Sequence, residues 1–157
     1  MILYTERLIL RPWTENDAES LYEYAKNPEV GPIAGWPPHK SVGESKDVIK
    51  NVLAVEENYA ICEKDSNRAI GAIALKLNGH TDMTERDDEC ELGYWLGKLY
   101  WGRGYMPETA KELLRHGFEY HHTCNDVPVT LLNEIRVGHT NVMTKEHWKE
   151  ISKMENR

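Results

Sequence analysis

The run from Glu89 to Glu119 constrains this chain more than any other. A strand-like segment, ECELGYWL, passes through Gly97, Gly102 and Gly104 straight into a helix opened at Pro107. Alternation along the first part places Glu89, Glu91, Gly93 and Trp95 on one face, and Cys90, Leu92, Tyr94 and Leu96 on the other. In the second part Ala110, Leu113, Leu114, Gly117 and Phe118 recur at helical spacing as one apolar stripe. A strand that enters a helix through closely spaced glycines directs successive backbone amides toward one point, at the positive end of the helix dipole. Glycine matters there because a side chain would hold a phosphate away from the backbone. Two readings stand: an anion cradle to which Arg103 adds charge, or a tight strand-to-helix connection and nothing more. The ATP-type loop G-x-x-x-x-G-K-[ST] does not occur, and the dinucleotide fingerprint lacks its third glycine.

The flanking sequence supplies the rest of a fold. Thr5 to Arg11 alternates around Leu8 and Leu10 before Pro12, which predicts a strand. Thr14 with Asp17 and Ser41 with Glu44 form two capping patterns, each opening a helix. The first helix carries Ala18, Leu21, Tyr22 and Ala25 at helical spacing and ends at Asn27-Pro28; the second runs to about Glu56. Between them lies a Pro/Gly-rich loop, GPIAGWPPHK. Asn58 to Cys62 and Ala69 to Leu77 predict a hairpin turning at Lys64 to Asn67. Tyr120 to Thr123 and Leu131 to Val137 predict two more strands, and Thr144 caps a short final helix holding Trp148. The order β-α-α-β-β-β-α-β-β-α implies one mixed sheet covered by helices, a single α/β (α+β) domain over residues 1–157.

The net charge of -7 argues against nucleic acid or an anionic membrane as partner, since both call for a basic surface. Cys62, Cys90 and Cys124 form neither a C-x-x-C pair nor a disulfide framework, which points to a reducing cytoplasm. MILYTERLILRPW carries charge too early for a signal peptide, and no apolar run is long enough to span a bilayer.

ELGYWLGKLYWGRGYMPETAKELL resembles the coenzyme-A signature of the GNAT acetyltransferase superfamily. TERLILRPW and GWPPHKS are similar to its ribosomal-protein N-terminal (alanine) acetyltransferase branch. The resemblance covers Thr5 to Phe118 and resumes from Tyr120 to Trp148. The family's Q/R-x-x-G-x-G/A pattern falls on Trp101-Gly102-Arg103-Gly104-Tyr105-Met106, with Trp101 and Met106 departing from the usual residues. The resemblance implies acetyl-CoA as co-substrate, with amides of this stretch, Gly102 to Met106, on its pyrophosphate. It places the backbone of Trp95 and Leu96 on the pantetheine arm by strand addition. An acceptor amine would attack the thioester directly, and Glu91 stands where relatives often place a base. A solvated or structural carboxylate is the competing reading of Glu91. Trp36 either lines an acceptor pocket, as that loop does in relatives, or packs on the core.

In the family, the helix after the cradle is followed by a strand, a helix and a final hairpin. Here Glu119 meets Tyr120-His121-His122-Thr123 at once, so a strand-plus-helix unit on the order of 25–30 residues is missing. The expectation is a GNAT-like, mostly antiparallel sheet truncated by one strand and one helix, with Glu89 to Leu96 left as an apolar edge. Either the final hairpin moves inward to cover that edge, or two chains form a homodimer with exchanged C-terminal segments. Two functions compete: an acetyl-CoA-dependent N-acetyltransferase acting on a small-molecule or peptide amine, and a catalytically impaired GNAT-fold protein serving as an oligomeric or CoA-binding module. An unrelated nucleotide-phosphate binder is a third and weaker option.

Other groups call for plain roles. The acidic run Asp82, Glu85, Asp87 and Asp88 is a solvated loop by default, or else draws a cationic acceptor. His121 and His122 point to opposite faces, and His116, His139 and His147 lack ligand spacing, so no metal is expected. Glu108 complements the helix dipole, and Cys62 and Cys90 are expected in the core.

Overall fold

The computed structural model describes residues 1–76, 81, 90–116, 124–129 and 134–138. Five strands form one antiparallel sheet in chain order: β1 (Leu3–Tyr4), β2 (Leu8–Pro12), β3 (Asn58–Glu63), β4 (Ala69–Lys76) and β5 (Glu91–Leu96). Every strand of this sheet therefore sits beside its neighbour in sequence, and β5 is its edge among the described residues. Among the described residues four α-helices accompany the sheet: α1 (Ala18–Ala25), α2 (Gly31–Ala34), α3 (Val42–Val48) and α4 (Tyr105–Arg115). Strands β6 (Cys124–Val129) and β7 (Glu134–Gly138) make a two-stranded sheet of their own.

Both faces of the sheet are covered, as the alternation requires. Leu8, Leu10, Ile61, Ile73 and Leu75 pack with Leu113 of α4. Ala60, Cys62, Ala69 and Ala72 pack with Trp13, with Leu21 and Ala25 of α1, and with Ile49, where α3 runs on as a wider turn to Leu53. Small side chains on the second face let the helices approach closely.

Local chemistry explains the elements. Asp17 accepts hydrogen bonds from the Thr14 amide and hydroxyl, both at 2.9 Å, and starts the 3-10 turn leading into α1. Ser41 accepts the Glu44 amide at 3.0 Å and caps α3. Asn67 takes a left-handed φ of 52°, which asparagine tolerates, and closes the β3–β4 turn. Its side chain and carbonyl accept from Arg11, at 2.9 and 3.0 Å. Arg11 in turn grips Asp17 with two bonds of 2.9 and 2.7 Å, so one buried ion pair ties β2, the hairpin turn and the α1 entry together. Hydrogen bonding to Asp17 raises the Arg11 pKa. Burial pushes the Asp17 carboxyl up, but the bonds from Arg11 and Thr14 outweigh it and hold the group below its ordinary range.

Several boundaries differ from the sequence-based expectation. The helix expected from Pro107 to Glu119 begins at Tyr105, which leaves Pro107 in its first turn, and is described to Arg115. The strand expected at Tyr120 to Thr123 falls on Tyr120, His121, His122 and Thr123, which lie outside the described residues; the described residues resume with β6 at Cys124–Val129. The hairpin does not add to β5. The acidic run, His139, His147 and the expected helix around Trp148 also lie outside them. Cys62 and Cys90 are buried free thiols as expected, and burial pushes them up to about 12 and about 11. Among the described residues no helix is long and apolar enough to cross a membrane, and no cluster of His, Cys, Asp or Glu is arranged for a metal.

Candidate functional site

The three glycines after β5 divide by role. Gly97 has an ordinary φ of -54°. It is glycine for space, since a Cβ there would lie 2.6 Å from Cδ1 of the buried Tyr24 ring. Gly102 and Gly104 are glycine for conformation, with φ of 73° and 75°. A Cβ at Gly102 would meet nothing within 4 Å, and the nearest group to one at Gly104 is Arg7 Nη2 at 3.5 Å. Among the described residues none of the amides from Gly102 to Met106 donates a hydrogen bond. The first closed bond of α4 is from the Glu108 amide to the Gly104 carbonyl, 3.3 Å. The turn is thus open and lined by free N–H groups at the start of an 11-residue helix.

The side chains around it turn away. Met106 packs inward against the first core. The Trp101 indole folds back and donates to the Leu96 carbonyl at 2.8 Å. The Arg103 guanidinium lies 5.4 Å from the centre of the Tyr100 ring, and Tyr100 stacks with Tyr105 at 6.2 Å. Arg103 itself is exposed, so its charge remains next to the amide cluster.

A group that sequence reasoning missed braces this turn. Arg7 donates from Nε to Glu108 Oε2 at 2.7 Å and from Nη1 to the Arg103 carbonyl at 3.0 Å. Its own amide and the Thr5 hydroxyl both donate to Glu108 Oε1. Its guanidinium sits 4.6 Å from the Tyr105 ring centre. Glu108 therefore does more than face the helix dipole: it anchors the β1–β2 turn to the cradle. Burial pushes its carboxyl up, and the bonds from Thr5 and Arg7 reverse this and leave it lowered. Nothing in the sequence announced the link, because a contact across 101 residues leaves no local pattern.

Beside the cradle, among the described residues, β5 is open on one side. The Gly97 amide donates to Ile70 at 2.8 Å, and the ladder pairs Leu96 with Gly71 and Trp95 with Ala72. Antiparallel alternation then turns the peptide groups of Gly93 and Trp95 toward β4, and those of Leu92, Tyr94 and Leu96 toward the open edge. The Leu96 carbonyl is filled by Trp101, which leaves the Leu96 amide and both groups of Tyr94 and of Leu92. The Trp95 indole lies in an aromatic cluster, 6.3 Å from Trp13 and 5.7 Å from Trp36. Trp36 packs over Gly31 and the second core, so the packing reading of that residue holds.

Glu91 stands at the far end of β5, five residues from Leu96, or about 17 Å along an extended strand. Its Oε1 accepts from Lys76 Nζ at 2.7 Å, across the strand pair, and its Oε2 from the Thr81 hydroxyl at 2.6 Å. The carboxylate is thus fixed and half-buried beside a cation.

Residues 7–146 match the acetyltransferase (GNAT) domain family. The chain belongs to the GNAT acetyltransferases. It is 31% identical over 121 residues to an uncharacterized N-acetyltransferase, p20, of Bacillus licheniformis, covering 74% of this chain and 65% of that protein. The chain spans about two thirds of the length of the curated relatives it matches. Its fold is similar to a GNAT-family acetyltransferase from Bacillus anthracis, with TM-score 0.60, 24% identity, and 74% and 66% of the two chains covered. It is also similar to RimL, a ribosomal alpha-N-protein acetyltransferase solved in complex with coenzyme A, with TM-score 0.62, 15% identity, and 90% and 94% covered. In this GNAT domain the open turn and the open strand edge adjoin, and the fixed carboxylate stands at the other end of the same strand.

Proposed function

We propose that this GNAT domain is an acetyl-CoA-dependent N-acetyltransferase. The observation that carries the reading is the turn at Gly102 and Gly104: two left-handed glycines, a helix start, and five amides that donate no hydrogen bond among the described residues, with nothing within 4 Å of a Cβ at Gly102. Backbone amides of Gly102, Arg103, Gly104, Tyr105 and Met106 hold the diphosphate, beside the charge of Arg103, and Trp101 shapes the rim. The pantetheine arm adds to β5 around Trp95 and Leu96, using the outward peptide groups of Leu96 and Tyr94. The coenzyme supplies an acyl group activated as a thioester. The acceptor is an amine on a small molecule or peptide; the likeness to RimL supports a protein N-terminus. Its nitrogen attacks the carbonyl directly, the C–S bond breaks, and the coenzyme leaves as a thiolate. Glu91 takes the proton lost by the amine, held for that role by Lys76 and Thr81.

Among the described residues, the unpaired edge of β5 and the separate β6–β7 hairpin support a chain that lacks one strand-plus-helix unit of its family. They also support a homodimer in which C-terminal segments are exchanged over that edge. Buried free thiols at Cys62 and Cys90 fit a reducing cytoplasm. Two experiments test the reading. Calorimetry with CoA and with ATP separates this cradle from a general nucleotide site. Thiol release with acetyl-CoA and a panel of amines then tests turnover; a folded protein that binds CoA but turns over no amine points to the impaired module instead.

A further inference from the structure

We infer that Arg7 is a positioning residue for the coenzyme: it fixes the direction in which the Gly104 amide points. This rests on the reading of the turn as a diphosphate cradle. The carbonyl of Arg103 and the N–H of Gly104 belong to one planar trans peptide, so they point in opposite directions. Arg7 Nη1 holds that carbonyl at 3.0 Å, on the side of the β1–β2 turn. The Gly104 amide is thereby directed away from Arg7's bond, toward the open side of the turn.

The lock is needed because of the residue it acts on. Gly104 has φ of 75° and no side chain, so its flanking peptides rotate more easily than those beside an L residue. The peptide on its far side is already fixed, since the Gly104 carbonyl accepts the Glu108 amide at 3.3 Å. Arg7 supplies the matching restraint on the near side. It is itself held by Glu108, through a hydrogen bond from Nε at 2.7 Å and an ion-pair contact of Nη2 at 2.6 Å, and rests on the Tyr105 ring. Because Glu108 pairs with its charge, Arg7 acts through geometry rather than as a free cation. A guanidinium spans both acceptors from one plane, whereas an ammonium offers a single point of attachment.

The test compares wild type with Arg7→Ala and Arg7→Lys. Three quantities are measured for each: CoA affinity by calorimetry, melting temperature, and KM and kcat for acetyl-CoA. The inference predicts that both variants bind CoA about tenfold more weakly, as for one lost charge-assisted hydrogen bond. KM for acetyl-CoA rises by the same factor, and kcat at saturation stays within about twofold. Arg7→Lys recovers stability through Glu108 without recovering affinity, and serves alone if Arg7→Ala does not fold. Affinity that returns with stability in Arg7→Lys, or wild-type affinity in either variant, overturns the inference and leaves the cradle standing. A wild-type protein that does not bind CoA overturns the cradle reading, and the inference with it.

Discussion

Replacing Gly104 by valine separates the conformational role of this glycine from its proposed binding role. A φ of 75° costs an L residue about 1–2 kcal/mol, and a β-branched one somewhat more. The ideal Cβ position lies 3.5 Å from Arg7 Nη2, an ordinary contact, so the penalty is backbone strain rather than collision. For a chain of this size that strain lowers the melting temperature by roughly 2–8 °C. Relaxing the strain rotates the peptides on either side of residue 104 and turns at least one amide aside. An N–H bonded to a charged phosphate contributes about 1.5–3 kcal/mol, so CoA affinity falls roughly 10- to 150-fold. Calorimetry with CoA gives the second number and thermal unfolding the first. The reasoning is refuted if Gly104→Val melts several degrees lower, as predicted, yet binds CoA within twofold of wild type. Gly104 would then be no more than a turn residue.

Other expectations follow from the same geometry. Glu91→Gln keeps the hydrogen bond to Lys76 but cannot take a proton; kcat falls about 10²–10⁴-fold with KM for acetyl-CoA unchanged, measured by thiol release. Asp17→Ala strands Arg11 in a buried site and removes the bonds at the α1 entry, which destabilises the fold by roughly 3 kcal/mol in denaturant unfolding. The Asp17 pKa is lowered by folding, so its contribution is present above the ordinary aspartate pKa of about 4 and lost as pH falls through the folded value. The wild type therefore loses more stability than an Asp17→Asn variant on acidification below about pH 4. Gly97→Ala drives a methyl into the Tyr24 ring and costs about 1–3 kcal/mol of stability, read from the melting temperature.

What the sequence made legible was whatever rests on neighbours in the chain. The capping patterns at Thr14 and Ser41, the hairpin around Asn67, the strand ending at Leu96 and the glycine turn before α4 are all local, and each was found in place. The two-residue strand β1 and the four-residue helix α2 escaped because neither is long enough to show a period. The bracing of the site escaped for another reason. Arg7 meets Glu108, Arg11 meets Asp17 and Asn67, and Lys76 meets Glu91 only once the sheet has formed. Glu91 was expected on the right strand, but nothing local announced the lysine that holds it. The same holds for Trp36, whose place against Gly31 and Trp95 depends on how α2 folds over the second face.

The central claim is that the peptide groups between Gly102 and Met106 receive a CoA diphosphate. Titrating ¹⁵N-labelled protein with CoA and following those five amide resonances tests it most directly. The account predicts large shifts at these residues that saturate together at the affinity found by calorimetry. Saturable CoA binding that leaves these resonances in place, and moves others instead, would contradict it.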